Sequence, residues 1–145
     1  MADLLKTALR MRPDRIIVGE VRSDAEELLQ AVNVGAEGSM STIHANSCRD
    51  MITRLETLVL MGINLPLPAI RRQIAAGFDI FVHLGRLRDK SRRLLEICEI
   101  DGIVEDEVVL NPLFLYEEEC GLVQKGKLKH RSKLERAGIT LEDGL

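Results

Sequence analysis

A short β-branched run that stops at a glycine and a carboxylate constrains this chain most strongly. Residues 16–18 read Ile-Ile-Val, and Gly19 and Glu20 follow directly. A continuous apolar run of this kind is typical of a strand in a parallel sheet that is covered on both faces. Glu20 is then expected at the C-terminal end of the strand, where open α/β sheets bind phosphates, metals or reactive water. On this run alone, a solvated glutamate in a turn is an equal alternative.

Composition limits the class of protein. With 145 residues, 46% of them hydrophobic and 3% aromatic, the chain suits one ordinary domain with an aliphatic core. The formal net charge of −3 argues against nucleic acid as a partner, since nucleic-acid-binding domains are usually basic. No apolar run reaches the ~18 residues that suggest a membrane-spanning helix. We expect a soluble chain that can dock on a membrane protein.

The cysteines suggest a reducing compartment. Cys48, Cys98 and Cys120 are odd in number, lie far apart along the chain and form no C-x-x-C pair. Their spacing predicts neither a disulfide framework nor a zinc site. A cytoplasmic location fits best.

Capping and periodicity signals predict an α/β order. A helix over residues 4–9 stops before Pro13, and a second runs from a Ser23/Glu26 capping box to Gly35. Residues 39–44 form a second strand that ends at His44. Two further helices follow, one from a Ser47/Asp50 capping box and one that closes at Gly77, and residues 79–84 form a third strand. This order implies a largely parallel sheet.

The rest of the chain has a different pattern. Residues 94–103 and 108–116 are predicted to form an antiparallel β-hairpin, followed by a basic tail. We therefore divide the chain into an α/β core (1–85), a hairpin extension (86–120) and a tail (121–145).

Glu20 and His44 at two strand ends are what a nucleotide-hydrolysing core needs. The surrounding motifs are specific: residues 5–22 read LKTALRMRPDRIIVGEVR and residues 38–47 read GSMSTIHANS. The first resembles the Walker B region of type II/IV secretion ATPases, most closely the Flp/Tad pilus-assembly (CpaF/TadA-type) branch. The second resembles that family's histidine box. The resemblance extends through residues 54–56 and 84–114.

The resemblance implies a partial RecA-like P-loop NTPase core that uses ATP and Mg²⁺. In it, Glu20 would be the catalytic base or would meet Mg²⁺ through water, with a structural carboxylate as the alternative. His44 would sense phosphate or couple neighbouring sites, with Thr42 as its neighbour, and a buried histidine that only orders the loop is the alternative. Gly19 would allow close approach to nucleotide. Arg22 would be a charge partner of Glu20 or a subunit-interface residue, with a surface ion pair as the alternative.

Other charged residues have weaker assignments. One of Arg10, Arg12 and Arg15 could reach a neighbouring subunit's phosphate, although a solvated basic face explains them as well. Arg54 and Glu56 match the family motif, but their positions alone predict charges on a helix surface.

One departure from the family is serious, because the Walker A loop G-x-x-x-x-G-K-[ST] is absent from the sequence. We expect that loop upstream of Met1, which would make the chain the C-terminal part of a motor that is inactive alone. Its partners would be a P-loop-containing half, other subunits of a homohexamer, and an inner-membrane platform protein at the cytoplasmic face. The alternative is a truncated, non-catalytic interaction module; a nucleic-acid-remodelling ATPase is disfavoured by the acidic composition.

Overall fold

A computed structural model describes residues 2–22, 25–33 and 38–140 of this α/β chain. The helices are α1 (Ala2–Arg10), α2 (Ala25–Asn33), α3 (Cys48–Gly62), α4 (Leu67–Gly77) and α5 (Ser132–Arg136). The strands are β1 (Ile17–Val18), β2 (Met40–Ser41), β3 (Ile80–Arg86), β4 (Arg92–Val104), β5 (Glu107–Glu117) and β6 (Gly121–Gln124).

The strands form two sheets. Strands β1 and β2 make a parallel pair, with Ile17 opposite Met40. Strands β3 to β6 make a four-stranded antiparallel sheet in sequence order. The prediction of a mostly parallel sheet is therefore wrong for the described residues, because only β1 and β2 pair in that way. The third predicted strand, β3, joins the antiparallel sheet instead.

The connection after β3 explains this difference. Residues 87–91 form a tight turn between β3 and β4. In this turn the Asp89 carboxylate accepts hydrogen bonds from the Ser91 backbone N–H (2.9 Å) and hydroxyl (2.7 Å). So short a connection can join only antiparallel neighbours, since a parallel crossover needs a dozen or more residues. The predicted division after residue 85 falls inside this β3–β4 hairpin and stays a prediction.

The predicted hairpin of residues 94–103 and 108–116 is confirmed as β4 and β5. The turn between them uses Glu105 and Asp106, both with positive φ (50° and 62°). Left-handed conformation at both turn residues matches the twist of the flanking strands.

The helix predictions are confirmed where the structure describes them. The Ser47 side chain caps α3 by accepting the backbone N–H of Asp50 at 2.9 Å. Helix α4 ends at Gly77, where a Cβ atom would lie 2.6 Å from Cγ2 of Val32. Ser23 and Gly35, the predicted limits of α2, lie outside the described residues.

One aliphatic core joins the helices to both sheets. Its fully buried members include Leu29, Val59, Ile70 and Ile74. On β1, Val18 points into this core, whereas Ile17 is 72% exposed. The prediction that this strand is covered on both faces is therefore wrong for the described part of the chain, because the face that carries Ile17 is open.

Two buried glutamates, Glu56 and Glu99, link elements around the core through ion pairs and hydrogen bonds. Glu56 is buried and accepts a 2.7 Å hydrogen bond from Arg71 Nε, so its prediction as a helix-surface charge is wrong. Arg71 Nη1 also pairs with Glu107 at 2.7 Å, which ties α3 and α4 to the β4–β5 turn. Glu99 on β4 is 2% exposed and accepts hydrogen bonds from the backbone N–H groups of Lys129 and His130 in the C-terminal segment.

Among the described residues, no helix has both the length and the apolar character for a bilayer crossing.

Candidate functional site

The parallel pair brings the two sequence motifs together at one edge. Val18 and Ser41 are partners in the register, so the residues that follow each strand emerge side by side. Thr42 links the segments that follow the two strands by hydrogen bonds. Its hydroxyl donates to the carbonyl of Gly19 at 2.5 Å, and its own carbonyl accepts the backbone N–H of Val21 at 2.8 Å. These two bonds hold the backbone on both sides of Glu20.

Glu20 contacts its predicted partner Arg22 and also His44. Its Oε2 lies 2.9 Å from Nη2 of Arg22, and its Oε1 lies 3.0 Å from Nε2 of His44. The Glu20 side chain is 30% exposed, while Arg22 and His44 are largely exposed. The hydrogen bond from Arg22 lowers the pKa of Glu20 below its usual range, and the charges of Arg22 and His44 reinforce it despite partial burial.

This geometry determines what the group can do. An ionised carboxylate held by a guanidinium and an imidazole can accept a proton from, or orient, a water at the open edge of the strands. Of the three side chains, only the carboxylate of Glu20 offers a hard oxygen ligand for Mg²⁺. The carboxylate of Glu20 would therefore suit a water-mediated contact to Mg²⁺.

A cavity of about 450 Å³ lies beside this group. Glu20, Arg22 and His44 line it together with Arg54 and the apolar side chains of Leu58 and Met61. Arg54 was assigned to a helix surface, and it is exposed, but α3 carries it to the site. The family motif at residues 54–56 was the one signal that could have identified it.

An apolar groove of about 530 Å³ lies on the uncovered face of the parallel pair. Ile17 and Met40 line it from β1 and β2, and Val82 and Leu84 line it from β3. All four side chains are at least 47% exposed. Gly19 and His44 also border the groove, so it adjoins the polar edge.

The three predicted interface arginines are exposed and lie before β1. Arg10 ends α1, and Arg12 has a positive φ of 51°. The Arg15 side chain lies against Gly38, at the start of the parallel strands. Because both strands run from this edge towards Glu20, Arg15 is at the opposite end of the pair. The structure therefore does not bring Arg15 into the Glu20 group.

The sequence also missed a cluster of two cysteines. Cys48 begins α3 and Cys98 lies on β4, and both are buried. One ligand atom from each, and one carboxylate oxygen of Glu96, all lie within 4.8 Å of one another. The spacing of the cysteines along the chain indicated no such group, because the fold joins segments 48 residues apart. Cys120 is exposed.

Comparison with known proteins defines the class. The model of the family "Type II/IV secretion system protein" matches residues 1–121. A putative conjugal transfer protein of Mycobacterium tuberculosis is 45% identical over 96 residues, which cover 66% of this chain and 27% of that protein. The conjugal transfer protein TrbB of Rhizobium radiobacter is 41% identical, with 70% and 31% covered.

A solved structure agrees with these relatives. The crystal structure of the VirB11 ATPase from the Brucella suis type IV secretion system, in complex with sulphate, matches with a TM-score of 0.64 and 34% identity. The match covers 68% of this chain and 31% of VirB11.

The chain therefore belongs to the type II/IV secretion system protein family, and it is homologous to ATPases of type IV secretion and to conjugal transfer proteins. It spans about a third or less of the length of the relatives described here.

Proposed function

We propose that this chain is the C-terminal part of a secretion or pilus-assembly motor ATPase with a RecA-like core. The observation that carries the proposal is the contact of Glu20 with both His44 and Arg22 at the C-terminal edge of two parallel strands. A carboxylate fixed at that edge, with an imidazole beside it, suits hydrolysis of a terminal phosphate. The amino-acid sequences of the two motifs, residues 5–22 and 38–47, favour the Flp/Tad branch of the family.

Each residue of the edge would have a defined task. Glu20 would orient the attacking water and accept its proton, and Arg22 would keep the carboxylate ionised and in place. His44, largely exposed, would contact the terminal phosphate and report its loss. Thr42 would hold the backbone of Gly19 so that nucleotide can approach. Mg²⁺, bound through ATP phosphates, would neutralise the charge that develops during transfer.

The assembly in which this occurs is also part of the proposal. The phosphates would be held by a P-loop half, because the sequence contains no G-x-x-x-x-G-K-[ST] loop. A homohexamer at the cytoplasmic face of the inner membrane would pass the motion to a platform protein. In such a ring, one of the exposed Arg10, Arg12 and Arg15 would reach a phosphate bound to a neighbouring subunit.

The test compares the chain alone with a restored motor. The chain alone should show negligible ATPase activity and weak affinity for Mg-ATP. A fusion of the preceding part of the Brucella suis VirB11 ATPase to this chain should hydrolyse ATP, and a Walker A lysine variant of the donated part is the control. A well-folded fusion that binds ATP without hydrolysing it, or micromolar binding of Mg-ATP by this chain alone, would contradict the proposal.

A non-catalytic interaction module is the second candidate. The observation that favours it is the exposed apolar groove of Ile17, Met40, Val82 and Leu84, which suits a partner surface. Such a module would join a ring without hydrolysing nucleotide. The fusion experiment separates the two functions, because a module would bind the donated half and leave the fusion inactive.

A further inference from the structure

Cys48, Glu96 and Cys98 form a compact polar group between α3 and β4. Both cysteines are buried, and Glu96 is partly buried. The Cys98 thiol donates to Glu96 Oε1 at 3.3 Å, and the other carboxylate oxygen accepts the backbone N–H of Cys48 at 2.9 Å. Each oxygen of the Glu96 carboxylate thus accepts one hydrogen bond, which positions the carboxylate in the absence of a ligand.

The spacing of this group matches a coordination sphere. At Zn–S and Zn–O bonds of about 2.3 and 2.0 Å, tetrahedral geometry places a sulfur and an oxygen ligand roughly 3.5 Å apart and two sulfurs roughly 3.8 Å apart. The observed distance of 3.3 Å between Cys98 Sγ and Glu96 Oε1 agrees with the first separation, and the three ligand atoms all lie within 4.8 Å of one another. The carboxylate oxygen bonded to Cys48 N–H is the one that would stay outside the metal sphere.

We propose that Cys48, Cys98 and Glu96 bind a tetrahedral divalent metal ion of the zinc type. Two thiolates and one carboxylate supply three ligands, and a water completes the fourth position. Binding replaces the two thiol protons, which pass to solvent, and leaves Glu96 ionised. No electron transfer is involved.

The position of the site indicates its effect. Cys48 is the first residue of α3 and follows the loop that carries His44, whereas Glu96 and Cys98 belong to the central strand β4. A metal would therefore fix the start of α3 to the antiparallel sheet and restrain the His44 loop. Because metal binds the folded chain, it raises the free energy of unfolding by an amount that grows with the logarithm of the ratio of free metal concentration to dissociation constant. The site does not depend on nucleotide hydrolysis.

Cobalt(II) is the probe, since it takes tetrahedral thiolate sites and absorbs light. Titration of the reduced, metal-free chain should give one equivalent of binding, with intense visible ligand-field bands and a near-ultraviolet thiolate-to-metal band. Cys48→Ser and Cys98→Ser should each lower the affinity more than about 100-fold, beyond the effect of losing an outer-shell contact. Cys120→Ser, at the exposed cysteine, is the matched control and should bind normally.

X-ray absorption of the cobalt complex of the unmodified chain tests the site without relying on a variant that folds. Two sulfur ligands with oxygen in the remaining positions are expected. Absence of saturable binding, a first shell without sulfur, or unchanged cobalt affinity in both Cys48→Ser and Cys98→Ser would overturn the proposal.

Discussion

Glu20 Oε1 lies 3.0 Å from His44 Nε2, although the two residues follow different strands. The contact forms because β1 and β2 are parallel and end at the same edge. On its other oxygen, Glu20 binds Arg22 at 2.9 Å. One carboxylate therefore links the two motifs that the sequence carries separately.

The first prediction concerns the charge of Glu20. The hydrogen bond from Arg22 is the largest cause of its lowered pKa, so Arg22→Gln should raise the pKa of Glu20 more than His44→Gln does. Carbon-detected NMR of the glutamate carboxyl groups measures both. Since the folded-state pKa is lowered, the paired form is fully present at neutral pH and is lost as pH falls through that lowered pKa. An unchanged titration in Arg22→Gln would contradict this cause.

The second prediction concerns Glu99, which anchors the C-terminal segment. Besides Lys129 and His130, it accepts a 2.8 Å hydrogen bond from the Asn111 amide. Glu99→Ala leaves three part-buried donors without this acceptor and should lower the free energy of unfolding by roughly 1–2 kcal/mol. Urea unfolding measures the loss, and amide exchange at Lys129 and His130 should accelerate. Glu118→Gln, at an exposed glutamate, is the control.

Acid should release the same segment. Burial raises the pKa of Glu99, but hydrogen bonds from the backbone of His130 and Lys129 outweigh it, and the net pKa is lowered. The contribution of Glu99 to stability is therefore present above the ordinary glutamate pKa and lost as pH falls through the lowered one. Amide exchange at Lys129 that does not accelerate in acid would contradict this role.

The third prediction concerns the apolar groove. Exposed side chains of this kind favour self-association, so light scattering should show oligomers as the concentration rises. Burying a leucine contributes roughly 1.5–3 kcal/mol, so Leu84→Lys should raise the concentration needed for association at least about tenfold. Leu122→Lys, at an exposed leucine on β6, should have little effect. A monomer at all concentrations that binds no apolar dye would contradict the prediction.

The fourth prediction concerns thiol reactivity in the metal-free chain. Burial raises the pKa of Cys98 to about 12 and that of Cys48 further still, so both remain protonated and shielded at neutral pH. Cys120 is exposed. An aromatic disulfide reagent should therefore modify one thiol per chain rapidly, and all three after unfolding. Rapid modification of Cys48 or Cys98 in the folded chain would contradict their burial.

Local signals in the sequence predicted much of the fold. The Ser47 cap, the end of α4 at Gly77 and the β4–β5 hairpin follow from contacts between near neighbours, which a sequence displays directly. Glu20 and His44 were predicted in the same way to end their strands. In the structure β1 ends at Val18 and β2 at Ser41, so Glu20 and His44 lie in the segments that follow, and their roles stay predictions.

One error concerns a local turn: β3 pairs with β4 across the short connection at residues 87–91, whereas the alternation of helices and strands favoured a parallel neighbour. The other errors concern long-range relationships. The burial of Glu56 depends on Arg71 in the next helix, and the approach of Cys48 to Cys98 depends on a contact between α3 and β4. Periodicity along one segment carries no information on what packs against it.

The turnover number of Glu20→Gln, in the fusion that restores the P-loop half, tests most directly whether Glu20 is the catalytic base. Glutamine preserves the shape of the side chain, so ATP binding should survive, while loss of the general base should lower turnover by ~10²–10⁴-fold. Glu119→Gln, at an exposed glutamate, should leave it unchanged. If Glu20→Gln retains more than about a third of the turnover, Glu20 is not the base and the assignment of this edge as the catalytic site is wrong.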